Sequence, residues 1–356
     1  MTVRVAIVAD DLTGALDTAA PFVSAGLAAA VAVTPAALDE AIGTGARVVA
    51  VATASRALPE RLAAERAARV AARLAGFDVV VKKIDSRLKG NVGAEAAAVA
   101  EATGRRLLVV APAVPDQSRF TVDGRVTGRG VALPLPIAPL FAGRAVAAVI
   151  HDARDDGDLD HVAATTDWSH AVAVGARGLG AALARRLGVA DLVARAPFAP
   201  AGDTLFAFGS RDPITTAQID RLVATGLVGR PVDAPHGRFA PDALPALPAV
   251  LRCTGAIDDD PAAVAERFGA GVATLVRRLR PAMLATGGGD TALAVLAALG
   301  VGVVSPRGEV EDGVPWFTVT TNDGVALACS VKSGGFGSPE TLLRLLPLGS
   351  AAGVTS

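Results

Sequence analysis

Four short segments combine charged or hydroxylated side chains with glycine, and each follows an apolar run that reads as a strand. The first is Ala9-Asp10-Asp11-Leu12-Thr13-Gly14. Two adjacent carboxylates at a strand tip cannot both enter a core, so one is expected to cap the next helix while the other faces a cleft. The second is Lys82-Lys83-Ile84-Asp85-Ser86-Arg87-Leu88-Lys89-Gly90-Asn91, whose cations suit a carboxylate or phosphate and whose Asp and Ser suit hydroxyls. Ser55-Arg56, after the third strand, adds a cation at the same sheet edge. The third is Leu284-Ala-Thr-Gly287-Gly288-Gly289-Asp290-Thr291, a glycine turn opening a helix from Ala292 to Leu299. Bare amides at a helix N-terminus bind phosphate, and Asp290 or Thr291 can cap the helix or hold a magnesium ion. The fourth, Lys332-Ser333-Gly334-Gly335-Phe336-Gly337-Ser338-Pro339, can close over a nucleotide by the same backbone logic. Each also has a plainer reading: capping for the aspartates, solvated loop charges for the lysines, tight turns for the glycines.

Short Val/Ala/Ile/Leu runs alternating with segments of helical period must carry these loops, the pattern of buried parallel strands with helices packed over them. The fold class is therefore α/β: two α/β domains with largely parallel sheets. Strands are expected at Val3–Ala9, Ala29–Val33, Val48–Ala52, Val79–Ile84, Leu107–Ala111, Val146–Ile150 and Ala171–Val174 in the first half. A helix from Pro59 to Leu74 turns Leu62, Ala63, Val70 and Leu74 to the sheet and leaves Arg61, Glu65, Arg66, Arg69 and Arg73 as a solvated face. The stretch Arg195–Asp203, with two prolines and a glycine, is the expected linker, giving domains 1–200 and 201–356. Beyond it, strands are expected at Leu205–Phe208, Val250–Cys253, Ala282–Ala285, Phe317–Thr320 and Val325–Val331, the last two joined as a hairpin by Asn322-Asp-Gly324.

The 356 residues carry 34 Lys+Arg and 35 Asp+Glu, a net charge of -1 that gives nucleic-acid binding little electrostatic support. No apolar run reaches the roughly 18 to 20 residues of a membrane span, and the opening Met-Thr-Val-Arg lacks a signal-peptide pattern, so a cytoplasmic protein is expected. Cys253 and Cys329 stand in no ligand spacing and read as buried apolar residues. There is no Walker P-loop, and Gly178-Leu-Gly180 lacks the third small residue of a dinucleotide fingerprint, which disfavours an NAD-dependent oxidoreductase. The acids Asp152, Asp155, Asp156, Asp158 and Asp160 read as helix-start acids in preference to metal ligands.

Together these segments resemble the four-carbon acid sugar kinase family, which includes threonate, erythronate and 3-oxo-tetronate kinases. The resemblance rests on Ile7–Phe22, Ser55-Arg56-Ala-Leu, Lys83-Ile-Asp-Ser86 with Gly90-Asn91, Pro112–Gln117, Thr121-Val-Asp-Gly124, Gly288-Gly-Asp-Thr291 and Lys332–Gly337, in the family's order. Ser86-Arg87-Leu88-Lys89-Gly90 and Gly209-Ser-Arg-Asp-Pro213 depart from the usual patterns. The resemblance implies that the first domain binds the sugar acid and the second ATP, with transfer across an inter-domain cleft. It implies Asp10, Asp11, Arg56, Lys83, Ile84, Asp85, Ser86 and Asn91 for the acid. For ATP it implies Ser210, Gly287, Gly288, Gly289, Asp290, Thr291, Ser333, Gly334, Gly335 and Gly337. Arg56 and Lys83 would neutralise the carboxylate, and Asp10, Asp11 or Asp85 would orient the attacking hydroxyl, with Mg2+ assisting. The expected partners are a small sugar acid and ATP, without nucleic acid or membrane, and a homodimer is compatible with this reading. Two rivals are a ribokinase-like sugar kinase with Asp290 as base and a non-catalytic sugar-acid sensor.

Overall fold

The computed structural model describes residues 3–188, 197–240, 246–256 and 260–347. The chain divides into two compact units, Met1–Arg195 with Gly302–Glu309, and Ala196–Val301 with Val310–Ser356. The return of residues 302–309 to the first unit has no counterpart in a single division near residue 200. Arg195 and Ala196, at the start of the expected linker, lie outside the described residues.

The first unit runs β1 (Val5–Ala9), α1 (Leu12–Ser24), β2 (Ala29–Ala32), α2 (Leu38–Gly43), β3 (Val48–Ala52), α3 (Glu60–Ala72), β4 (Val79–Lys83), α4 (Val92–Ala102), β5 (Leu107–Ala111), β6 (Arg119–Val122), β7 (Arg125–Gly128), β8 (Leu135–Pro136), β9 (Ala147–Ile150), α5 (Asp156–Thr165), β10 (Ala171–Gly175) and α6 (Arg177–Leu187). The central strands β1, β3 and β4 are buried along their whole length, so both faces need helical cover. The order β2-β3-β1-β4-β10-β5-β9 is parallel throughout. A further strand, β15 (Val303–Glu311), returns through residues 303–309 and joins β2 antiparallel. The chain leaves β1 to one side for β2 and comes back to the other for β4, which makes the carboxyl ends of β1 and its neighbours a switch point where ligands bind.

Three short strands form a separate sheet, β6-β7-β8. Asp123 and Gly124 turn β6 into β7 with φ of 50° and 66°, the conformation of a two-residue hairpin loop. Asp152 accepts hydrogen bonds from both turn amides, at 2.7 and 2.9 Å, and Asp155 caps α5 by accepting from the Asp158 amide. These acids thus hold a turn and a helix start. Gly178 lets α6 approach the Ala113 carbonyl, where a Cβ would stand at 2.3 Å, so the Gly178-Leu-Gly180 pair has a packing reason. In α3, Ala63, Ala67, Val70 and Ala71 face the core; Leu62 lies off that stripe and is 41% exposed, contrary to the expected inward placement.

The second unit contains β11 (Thr204–Phe208), α7 (Pro213–Ala224), β12 (Val232–Pro235), β13 (Ala249–Thr254), α8 (Pro261–Leu279), β14 (Met283–Gly287), α9 (Gly289–Ala298), β16 (Val314–Thr320) and β17 (Ala326–Lys332). Its order is β12-β13-β11-β14-β17-β16, parallel except for the β16–β17 hairpin. Phe206, Phe208, Met283 and Ala285 on the strands pack with Ile219 and Leu222 of α7 as its core. Among the described residues no helix is long and apolar enough to cross a membrane.

Candidate functional site

In the first unit, sheet register fixes the site. Ala9 lies opposite both Ala52 and Lys83, so the residues that follow β1, β3 and β4 emerge side by side. Arg56, after β3, donates from Nε to Asp10 Oδ2 at 2.7 Å and from Nη2 to Asp10 Oδ1 at 2.9 Å. Its Nη1 stands 2.7 Å from Asp11 Oδ2 and 3.8 Å from Asp85 Oδ2. Three carboxylates therefore surround one guanidinium. Arg56 is already paired, where the sequence reading expected a cation open to the ligand; the physical reason is that the buried Asp10 carboxylate needs a partner. Burial alone would push Asp10 up, but Arg56, then Lys82 and Lys83, outweigh it and hold its carboxyl below the usual aspartate range.

The three aspartates differ in what remains unspent. Both oxygens of Asp10 take the guanidinium. Asp11 caps α1, accepting from the Gly14 amide at 2.7 Å and from Thr13 Oγ1 at 3.0 Å, as the sequence leads one to expect for one member of the pair. Asp85 accepts from the Arg87 amide at 2.8 Å through Oδ1, while among the described residues its Oδ2 has only the distant Arg56 contact.

Lys83 is 4% exposed and its ammonium makes no hydrogen bond among the described residues; Asp17 Oδ1, at 3.9 Å, is its ion-pair neighbour. It lies so close to α1 that a Cβ on Gly14 would stand 2.7 Å from its Nζ. Asp17, on the buried face of α1, has its carboxyl pushed up to about 6 by burial, against the opposing pull of Lys83. Behind the cluster, Lys82 pairs with Glu95 at 2.7 Å, both 1% exposed, and Ser55 donates to Glu95 at 2.7 Å. The Ser55 amide donates to the Asp10 carbonyl, which ties this buried pair to the loop carrying Arg56. Of the remaining expected residues, Ser86 accepts from Arg119 at 3.0 Å, Asn91 donates to the Leu58 carbonyl at 2.9 Å, and Ile84 is buried. Asp17 and Glu95 are missing from the expected site residues; both sit on helices, Asp17 within the Ile7–Phe22 segment and Glu95 on α4.

In the second unit, Phe208, Gly287 and Lys332 align at the carboxyl ends of β11, β14 and β17. A cavity of about 420 Å³ opens there, lined by Gly209, Ser210 and Arg211, by Gly288, Gly289, Asp290 and Thr291, and by an apolar wall of Cys253, Ala256, Pro261, Val264, Ala265 and Phe268. Gly288 is the N-cap of α9 with φ 102°, a conformation that favours glycine. The N-cap glycine gives α9 no side-chain cap, and Asp290 and Thr291 lie in its first turn; the amides of such a helix start suit an anion. Among the described residues, Asp290 is the single carboxylate of the lining.

The expected Gly287, Ser333, Gly334, Gly335 and Gly337 are not among the lining residues. Gly287 packs on Phe208, and a Cβ on Gly334 would stand 2.4 Å from Ser210 Oγ, so the fourth loop supports the cavity wall from behind. Lys332, 2% exposed, shapes that loop: its ammonium donates to Thr215 Oγ1 and to the carbonyls of Ser333, Gly334 and Phe336 at 2.9 to 3.2 Å. Both cysteines are free and buried, and burial pushes the Cys329 thiol up to about 12.

Residues 5–136 match the family described as a sugar-binding N-terminal domain, and residues 205–342 the family described as a nucleotide-binding C-terminal domain. The chain is 34% identical to a D-threonate kinase of Bordetella bronchiseptica, covering 96% of each. It is 27% identical to a 3-oxo-tetronate kinase of Pseudomonas fluorescens, covering 95% of each. A solved structure from Salmonella typhimurium LT2 shares the fold with a TM-score of 0.71 at 18% identity, over 96% of this chain and 98% of that one. A Haemophilus influenzae structure does so with a TM-score of 0.62 at 19% identity, over the same shares. With both domain families matched in order and similarity running nearly end to end, the chain belongs to the four-carbon acid sugar kinase family.

Proposed function

We propose that the protein is an ATP-dependent kinase that phosphorylates a four-carbon sugar acid, with D-threonate and 3-oxo-tetronate the leading acceptors, at the terminal hydroxyl. The observation that carries this reading is Lys83, a buried ammonium that makes no hydrogen bond among the described residues and stands beside three clustered carboxylates. An ammonium so placed takes the acceptor's carboxylate, and the neighbouring aspartates take its hydroxyls. The D-threonate and 3-oxo-tetronate kinases among the relatives support the substrate class.

Phosphoryl transfer asks the protein mainly for positioning and charge neutralisation. Asp85 Oδ2 is the least committed carboxylate oxygen of the cluster, which makes Asp85 the residue that orients the attacking hydroxyl. The Asp10–Arg56 pair fixes the loops around it. In the second unit the apolar wall of the cavity suits a base, and the amides of Gly288 to Asp290 suit phosphate. Mg2+ would neutralise the nucleotide phosphates when bound, and Asp290 and Thr291 are the oxygen donors of the cavity suited to hold it. Binding at the two sites would place the acid in the residues 1–200 part and the nucleotide in the 201–356 part.

The testing experiment is an ADP-release assay of the purified chain with Mg-ATP against D- and L-threonate, D- and L-erythronate and 3-oxo-tetronates. ADP release dependent on one of these acids is expected. Silence across the panel from folded protein would sink the reading and favour a non-catalytic sensor, which would bind the acid without consuming ATP.

A further inference from the structure

The arginines of α3 read from sequence as a solvated face, and Arg69 and Arg73 are exposed; with Arg66 they also border an open cavity. Arg66 and Arg69 of α3 and its C-cap Arg73 lie at helical spacing, and with Thr34, Asp39 and Ala54 they border an open cavity of about 530 Å³ in the first unit. This cavity shares no residue with the Asp10–Arg56–Asp85 cluster or with the glycine-lined cavity of the second unit.

Its charges are only partly spent. Arg66 uses Nη1 to hold the carbonyls of Thr53 and Ala54, at 3.0 and 3.2 Å, and Ala54 keeps a φ of 48° there. The other N–H groups of Arg66 have no acceptor among the described residues. Arg73 pairs with the exposed Asp39. Arg69 makes no hydrogen bond or ion pair among the described residues, and Thr34 begins a short helical turn without using its hydroxyl as a cap. Three guanidiniums against one carboxylate leave the lining net positive. Two open guanidinium faces match the oxygens of a phosphate dianion, and the volume lies in the range of small-molecule pockets.

We propose that this cavity binds a small phosphate-bearing anion, held by Arg69 and Arg66 with Arg73 at the rim. Titration calorimetry of the full chain with sn-glycerol 3-phosphate and with inorganic phosphate tests it. Binding with a Kd of about 1 mM or tighter is expected, and Arg69→Glu is expected to weaken it at least about 10-fold while leaving the melting temperature and the KM values for acid and ATP unchanged. Tighter binding of the ester assigns the site to phosphomonoesters, and equal binding assigns it to the free anion; both uphold a phosphate site. No binding of either probe, or equal binding to the wild type and Arg69→Glu, overturns it. Arg69→Gln gives the same readout by removing the charge alone, should the reversal impair folding.

Discussion

Arg56 grips Asp10 through two parallel hydrogen bonds, Nε to Oδ2 at 2.7 Å and Nη2 to Oδ1 at 2.9 Å, and so locks the loop after β3 to the end of β1. A lysine keeps the charge but not the two-pronged geometry. Arg56→Lys is therefore expected to raise the KM for the acid about 10-fold or more with little change in the KM for ATP. Arg56→Ala, which strands a buried carboxylate, is expected to destabilise the fold by about 3 kcal/mol as well. The Asp10 carboxyl is held low in the folded state, so the stability it contributes is present above the ordinary aspartate range and is lost as pH falls through its folded value. Acid titration of Arg56→Lys should show that loss beginning at higher pH than in the wild type.

Asp85 and Asp290 separate the two kinase readings. If Asp85 orients the acceptor, Asp85→Asn lowers kcat by about 10²- to 10⁴-fold with a modest change in both KM values. Asp290→Asn then mainly raises the KM for Mg-ATP. The reverse pattern, with turnover lost in Asp290→Asn and retained in Asp85→Asn, would assign the base to the glycine turn of the second unit. Steady-state kinetics of the two variants decide between them.

Asp17 sets a pH dependence of opposite sign to Asp10. Its folded pKa is raised to about 6 from 3.8, so its stabilising contribution is full below the unfolded value and is lost as pH rises through about 6. A shift of that size corresponds to about 3 kcal/mol. Thermal melts of Asp17→Asn should show a gain over the wild type at pH 8 that shrinks toward pH 4. A gain independent of pH would contradict the assignment.

Cys253 lines the glycine-rich cavity, whereas Cys329 is buried with its thiol held protonated. A small maleimide is expected to modify Cys253 slowly and to leave Cys329 untouched. Saturating ATP should protect Cys253 if the nucleotide fills this cavity, and sugar acid alone should not. Peptide mass spectrometry of the labelled protein reads both outcomes.

Much of this arrangement is legible in the sequence because its positioning is local. Asp10, Asp85 and Gly288 each follow a strand, and parallel pairing brings the loops of Asp10 and Asp85 to one edge in the first unit and sets that of Gly288 beside the end of β11 in the second. Asn322-Asp-Gly324 likewise announces the β16–β17 hairpin. What stays hidden is the pairing between distant segments. Arg56 looks like a ligand-binding cation until the fold places Asp10, 46 residues away, against it. Glu95 lies outside the quoted segments and Asp17 lies inside Ile7–Phe22 with no role read for it, and only the burial of their helices turns them into partners of Lys82 and Lys83. Strand β15 contains Pro306, Gly308 and charged residues, which hide a strand whose place is set by tertiary pairing. The Asp123-Gly124 turn signals the β6–β7 hairpin, but its short, polar flanking strands mask it.

The most direct measurement is 31P NMR of a reaction containing the purified chain, Mg-ATP and D-threonate, with the 3-oxo-tetronate reaction run alongside. Transfer to the terminal hydroxyl is expected to give ADP and a new phosphomonoester resonance split into a triplet by the adjacent CH2 protons. A doublet would place the phosphate on a secondary hydroxyl, and ADP with inorganic phosphate alone, or unchanged ATP with both acids, would contradict sugar-acid kinase activity.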